Sequence, residues 1–436
     1  MKTIRGIKLW NRTKKIIPGG SQLLSKRSEM FLPDQWPSFY KKAKGIEIWD
    51  LDGNKFVDMS LMGVGACILG YADDDVNEAV KKIIDAGTMT TLNCPEEVEL
   101  AELLLKLHSW ADMVRYAKTG GEAMAIAVRI GRAYTGKDIV AFCGYHGWHD
   151  WYLSANLADD KNLDGHLLLG LEPLGVPRGL KGTAIPFNYN IIEELEEIVE
   201  NNDIGVIVME PIRDHEPENN FLKNCRDIAD DIGAVLIFDE VTSGWRLRVG
   251  GVHELYGVHP DIAVFGKAMS NGFPMAAIIG KEAIMDVAQS TFISSTYWTD
   301  RIGPVAAIAT INKMQDNNVP SHLCRIGDLI SDGWERIGKE HNLGIHTEGI
   351  APLPHFAFDY KENQALQTLF TQEMLNRGFL ASKSVYVSYS HNEEHVEKYL
   401  ENVNDVFGVI KRAVEEHSVH DLLKGPVAHE GFKRLT

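Results

Sequence analysis

AVLIFDEVTSGWRLRVGGVHELYGVHPDIAVFGKAM, residues 234–269, carries the reading of the fold. Two short runs in it, Ala234–Glu240 and Ile262–Lys267, are apolar or β-branched until they end on charge: Asp239 and Glu240 in the first, Lys267 in the second. A strand without polar alternation is buried on both faces, as in parallel sheets covered by helices. Similar runs lie upstream at Asp138–Phe142 and Ile204–Glu210. Helical patterns separate them at Gly121–Thr135, Ile191–Asn201 and Leu222–Ile232. Strands alternating with helices predict an α/β unit with a mostly parallel sheet and helices on both faces. Ligands in such sheets bind just beyond the carboxyl ends of the strands, where the unusual residues of this chain gather.

Working outward, the two ends of the chain read differently. Gly45–Asp58, GIEIWDLDGNKFVD, has two alternating runs around Asp52-Gly53-Asn54, a β-hairpin pattern. The C-terminal part shows a helix at Asn363–Arg377, a β-like run at Ser384–Ser390 and a second helix at Glu393–Glu415. A chain of 436 residues exceeds the roughly 250–300 residues at which one core stops growing. We therefore expect residues 1–60 and 326–436 to form one smaller α+β domain flanking a large domain over 61–325.

Composition narrows the classes of function. The chain is 44% hydrophobic and 24% charged, with a net charge of -17, which disfavours nucleic acid or an anionic membrane as a partner. Lys and Arg are scattered, with short pairs such as Lys14-Lys15 and Lys41-Lys42. The five cysteines (Cys67, Cys94, Cys143, Cys225, Cys324) form no CxxC pair, so neither a zinc ribbon nor a disulfide framework is indicated. Met1–Trp10 lacks the apolar region of a signal peptide, and no apolar run approaches 18 residues. A cytoplasmic protein is expected.

Three features carry chemistry. Asp239 ends a buried strand, where a carboxylate is costly unless a cation meets it. It could pair with a protonated ring nitrogen of a cofactor, cap the next helix, or bind a metal. Lys267 also ends an apolar strand, although lysine is rarely buried unless paired. Desolvation makes such an amine nucleophilic. A Walker A loop is excluded, because position 261 holds Asp instead of the required Gly. The third feature is Thr119-Gly120-Gly121-Glu122 at the head of a helix. It offers backbone N–H groups and a positive dipole end to a phosphate, or an ordinary N-cap by Thr119.

Other patterns fail. Gly63-Val64-Gly65-Ala66-Cys67-Ile68 lacks the third glycine of a dinucleotide loop. His146 and His149 near Asp150 lack a fourth ligand, and no metal site is expected. His391 and His395, among Glu393 and Glu394, read as a solvated helix start.

Taken together the sequence resembles the class III (ω-type) aminotransferases of fold type I, and within them the glutamate-1-semialdehyde aminomutase-like branch. The resemblance runs through Pro18-Gly19-Gly20, Trp49–Asn54 and Glu97–Glu102, then Tyr145-His146-Gly147 and Asp239-Glu240-Val241, and ends with Gly266-Lys267 and Met374–Gly378. It implies pyridoxal 5'-phosphate (PLP) as cofactor. Lys267 is then the Schiff-base lysine and general acid/base, and Asp239 the partner of the pyridine nitrogen. Val241 and Tyr145 lie on the two faces of the ring, with His146 beside Tyr145. Thr119, Gly120 and Gly121 form the phosphate cup, and Glu210 stands close to the site. Thr296 resembles a threonine that reaches the phosphate from a second subunit, which implies a homodimer.

Departures limit what the resemblance says about substrate. Gly121 stands where the family has a small hydroxyl residue. Ser21–Arg27 replaces the aminomutase's Asn-Ser-Pro-Val-Arg segment, leaving Lys26 or Arg27 as carboxylate-binding candidates. Gly244-Trp245-Arg246 follows the aminomutase branch, with Arg246 either an anion ligand or a structural ion-paired residue. Ser294–Pro304 differs from the aminomutase. The expectation is therefore an intermolecular aminotransferase acting on a small or sugar-like carbonyl compound. An intramolecular aminomutase and a non-catalytic PLP-fold binding protein are the alternatives.

Overall fold

The computed structural model describes residues 4–166 and 169–432. These divide into two compact units: one holds the described residues up to Asp73 and from Ser321 onward, the other is Asp74–Pro320. The first contains strands β1 (Tyr40–Lys44), β2 (Glu47–Asp50) and β3 (Lys55–Met59). The second contains β4 (Met113–Ala117), β5 (Ile139–Cys143), β6 (Ala184–Pro186), β7 (Ile204–Met209), β8 (Val235–Asp239), β9 (Ile262–Phe265) and β10 (Ala276–Gly280). The first unit then adds β11 (Ile345–Glu348), β12 (His355–Phe358) and β13 (Phe379–Ala381).

In the central unit the sheet order is β4-β10-β9-β8-β7-β5-β6. The ladders from β6 through β5, β7 and β8 to β9 are all parallel. Only β10 is reversed, antiparallel to both β9 and β4. The carboxyl ends of β4, β5, β7, β8 and β9 therefore share one edge. Alternate residues feed two cores, as side chains of period two must. Val206, Val208, Val235 and Ile237 pack under Ala123, Ala127 and Ile130 of the Gly120–Thr135 helix. Ile207, Met209, Leu236 and Phe238 pack on the other face with Phe221, Leu222 and Cys225 of the Phe221–Ile232 helix. This is the expected α/β architecture, and it explains why β7, β8 and β9 carry no polar alternation.

The other unit has a four-stranded sheet in the order β1-β2-β3-β13. The predicted hairpin is present as β2 and β3; Asp50 Oδ1 accepts the N–H groups of Asp52 and Asn54 at 2.9 and 2.8 Å and so ties the turn. The β-like run at 384–390 is not a strand. Its alternate N–H groups bond to two different segments: Val385 and Val387 to the carbonyls of Pro354 and Pro352, and Tyr386 to that of Ser60. Val385 and Val387 are buried all the same, so the sequence shows a burial pattern without a ladder. The strand of this region is instead β13, which pairs in parallel with β3. His391 also corrects an expectation. It is fully buried, with Nε2 donating to the Asp58 carbonyl at 2.9 Å and Nδ1 accepting from Ser388 N at 3.0 Å. Asn392 caps the following helix with His395 as its reciprocal partner. No helix among the described residues is long and apolar enough to cross a membrane.

Candidate active site

The shared carboxyl edge of the sheet assembles most of the residues singled out by sequence. Asp239 closes β8 and Lys267 follows β9, the neighbouring parallel strand, in which Asp239 is paired with Val264. Asp239 is buried. Its Oδ1 accepts the Val241 N–H at 3.0 Å, and its Oδ2 lies 2.9 Å from His146 Nδ1. The other ring nitrogen, Nε2, is 3.0 Å from the Cys143 carbonyl. A carbonyl can only accept, so Nε2 carries a hydrogen. Through Nδ1 the imidazole is then tied to the Asp239 carboxylate.

Lys267 adopts φ +42°, a left-handed conformation unfavourable for a side chain with a Cβ and of the kind found at functional sites. Its Nζ donates to Thr242 Oγ1 at 2.9 Å. Desolvation pulls the amine down from its ordinary range to about 8, helped by the positive charges of Arg213 and Arg246 and opposed by Glu210 and Asp239. Such an amine is available in its neutral, nucleophilic form near physiological pH.

Thr119 forms a full capping box: its hydroxyl accepts the Glu122 N–H at 3.4 Å, while Glu122 Oε2 accepts the Thr119 N–H at 3.0 Å. The N-cap reading of Thr119 thus holds. It leaves the N–H groups of Gly120 and Gly121, which lack intrahelical acceptors at a helix start, free to serve a ligand. A Cβ on Gly120 would stand 2.9 Å from Val241 Cγ1, and one on Gly121 would stand 3.1 Å from the His149 ring. The second distance is tight, so the hydroxyl residue the family has at this position would require the His149 ring to shift.

Tyr145 is held by its backbone, whose N–H donates to Glu210 Oε2 at 3.1 Å. Gly144 precedes it at φ +106°, and a Cβ there would meet the same carboxylate at 2.6 Å. Tyr145 and Tyr152 meet edge to face at 5.9 Å. No hydrogen bond among the described residues joins the Thr296 side chain to the others. The residue starts an exposed turn, Thr296–Thr299, beside Asp300 and Arg301, which bind Lys118 at 3.1 Å and Glu96 at 2.7 Å. Arg246 is buried, and its Nε donates to the Thr242 carbonyl at 2.7 Å.

Two residues near Lys267 were not anticipated. Arg213 bonds Glu210 Oε2 through Nη1 at 3.2 Å. Its signal in the sequence was a cation three residues past a strand-end glutamate. Thr242 gave none, since a threonine after a strand is ordinary. Glu240 is a neighbour with a different task. Fully buried, its Oε1 accepts from His253 N and Nδ1 at 3.0 and 2.8 Å, and its Oε2 from Ser243 at 3.0 Å. Burial pushes its carboxyl up, yet the His253 hydrogen bonds prevail and hold it below the usual range. This cluster anchors the loop on which Thr242 sits.

The family described as aminotransferase class-III matches residues 32–407. The chain is 31% identical to the 3-aminobutyryl-CoA aminotransferase of Cloacimonas acidaminovorans, over 94% of this chain and 99% of that one. It is 33% identical to the glutamate-1-semialdehyde 2,1-aminomutase of Nitrosopumilus maritimus, over 90% and 96%. Its fold matches that of the PLP-bound FumI protein of Sphingopyxis sp. MTA144 with a TM-score of 0.86, at 23% identity and over 96% and 99% of the two chains. The chain therefore belongs to the class-III aminotransferases, a family of fold-type I enzymes that depend on pyridoxal phosphate.

Proposed function

We propose that this enzyme passes an amino group from an amino donor to a small or sugar-like carbonyl acceptor in a ping-pong cycle, with PLP held by Lys267, Asp239 and the Thr119–Gly121 turn. The observation that carries the reading is the pairing of a desolvated amine and a buried carboxylate on adjacent parallel strands, Lys267 after β9 and Asp239 at the end of β8. The residues fit the cofactor. Gly120 and Gly121 offer backbone donors, with a side chain at Gly120 barred by Val241, and Asp239, fixed by His146 and Val241, presents charge to a ring nitrogen.

When bound, PLP supplies an electron sink for negative charge at the substrate's reacting carbon. The rest belongs to the chain. Lys267 would hold the cofactor covalently through Nζ. Once released it would take and return the proton of the substrate's α-carbon, a task suited to an amine titrating near 8. Asp239 would keep the ring nitrogen protonated, and the His146 contact stabilises its charge. The N–H groups of Gly120 and Gly121 would hold the phosphate. Tyr145 and Val241 would flank the ring, Tyr145 being set by Glu210. Arg213 and Arg246 put two positive charges in range of Lys267, a field that suits a substrate with an anionic group.

A homodimer, with Thr296 reaching the phosphate of the other subunit, is part of this proposal. It is supported by large exposed apolar residues on this unit, Leu92, Trp148, Phe292 and Tyr297, and by a cavity of about 610 Å³ between Trp148, Trp151, Phe292 and Trp298. Apolar surface of this kind marks contact with another protein. A cytoplasmic location is also proposed, on the sequence alone.

The test is a screen of amino donors and carbonyl acceptors that follows the absorbance of the bound cofactor, run on wild type and Lys267→Ala. Wild type should respond to a donor alone and return with an acceptor, and the variant should not turn over. Unimpaired turnover in Lys267→Ala would overturn the assignment. The aminomutase reading, favoured by the name of the Nitrosopumilus relative, predicts isomerisation of one compound without an external donor. No spectral response to any donor would favour a binding protein.

A further inference from the structure

Thr242 lies three residues beyond the end of β8 and is 6% exposed. Its position is fixed twice: its carbonyl accepts from Arg246 Nε at 2.7 Å, and its Oγ1 receives Lys267 Nζ at 2.9 Å. The charged groups facing that amine are Arg213 and Arg246, which disfavour its ammonium form, and Glu210 and Asp239, which favour it. A hydroxyl accepts a hydrogen from an ammonium and donates one to a neutral amine. It can therefore meet Nζ as acceptor or as donor in the two protonation states, whereas a carboxylate could never donate to the lone pair of the neutral amine.

We propose that Thr242 is a positioning residue, holding Nζ of Lys267 in place while the amine gains and loses its proton. The proposal rests on the role given to Lys267 above. Thr242→Val keeps the shape and removes the hydroxyl, Thr242→Ser keeps the hydroxyl, and Thr242→Ala is a second deletion should the valine fold poorly. In cofactor-free protein, the rate at which acetic anhydride labels Lys267 is followed against pH by peptide mapping. A hydrogen bond to a charged group is stronger than one to a neutral group. Removing the hydroxyl should therefore lower the labelling midpoint by roughly half to one pH unit. In loaded enzyme kcat should fall about 2- to 10-fold with KM unchanged. Serine should restore both.

A wild-type midpoint in the valine and alanine variants, or failure of serine to restore it, overturns the proposal. Borohydride reduction of PLP-loaded wild type tests the Lys267 reading separately. Cofactor fixed to another lysine sinks that reading. Cofactor on Lys267 with an unmoved midpoint in Thr242→Val sinks the role of Thr242 alone.

Discussion

Gly120→Ala probes how tightly the helix start is built against the site. The backbone of Gly120 is helical and admits any residue, so the effect must come from contact. The added Cβ would lie 2.9 Å from Val241 Cγ1 and 3.3 Å from Cγ2, well inside the roughly 3.5–4.0 Å at which carbon atoms sit comfortably. Val241 cannot withdraw freely, because its N–H is bonded to Asp239 Oδ1. Overpacking of this degree costs about 1–3 kcal/mol. The better helix propensity of alanine returns less than about 1 kcal/mol, so a net loss of about 1–2 kcal/mol is expected. Hydrogen exchange of the Gly120–Thr135 amides in cofactor-free protein reads this locally, as a rise of roughly 5- to 30-fold in exchange rate. In a Val241→Ala background the same substitution should cost almost nothing, a coupling that a double-mutant cycle measures directly. Additive effects of the two changes would refute the packing argument. Gly121→Ser should be milder, within about 1 kcal/mol, since the half-buried His149 ring can turn away.

Two further outcomes follow from buried carboxyls. Asp239→Asn should lower kcat by roughly 10²- to 10³-fold while leaving thermal stability nearly unchanged, because an amide N–H can still meet His146 Nδ1; wild-type turnover would show that the charge is not used. Asp58 is pushed up to about 6 by burial, against the hydrogen bonds from Tyr71, Ser60 and Met62. Its folded form binds a proton more tightly than the unfolded chain does, so its contribution to stability falls as pH rises from about 4 to about 6, by on the order of 3 kcal/mol. Asp58→Asn should abolish that dependence in the variant, so that it appears in full in the difference between wild-type and variant stability across this range, and an identical slope in both proteins would refute it.

Local pattern was enough for much of this protein. Unbroken apolar runs at 204–209, 235–238 and 262–265 read as strands buried on both faces, so their order along the chain specified the α/β layers. Charge at the strand ends marked Asp239, Glu210 and Lys267, since burying a charge is too costly to occur without a partner. The glycines of Thr119–Glu122 marked the helix start. Only the tertiary structure decided which partners these residues meet. Thr242 and Arg213 become neighbours of Lys267 because β7, β8 and β9 lie side by side, a relation that periodicity does not encode. His391 reads as a surface residue from its acidic neighbours, yet it is buried because the carbonyl of Asp58, over 300 residues away in the chain, meets Nε2 while the nearby Ser388 N–H meets Nδ1. The sequence by itself determined which residues had to leave water, because that follows from side-chain chemistry. What they leave it for depends on how distant segments stack, and only the folded chain contains that.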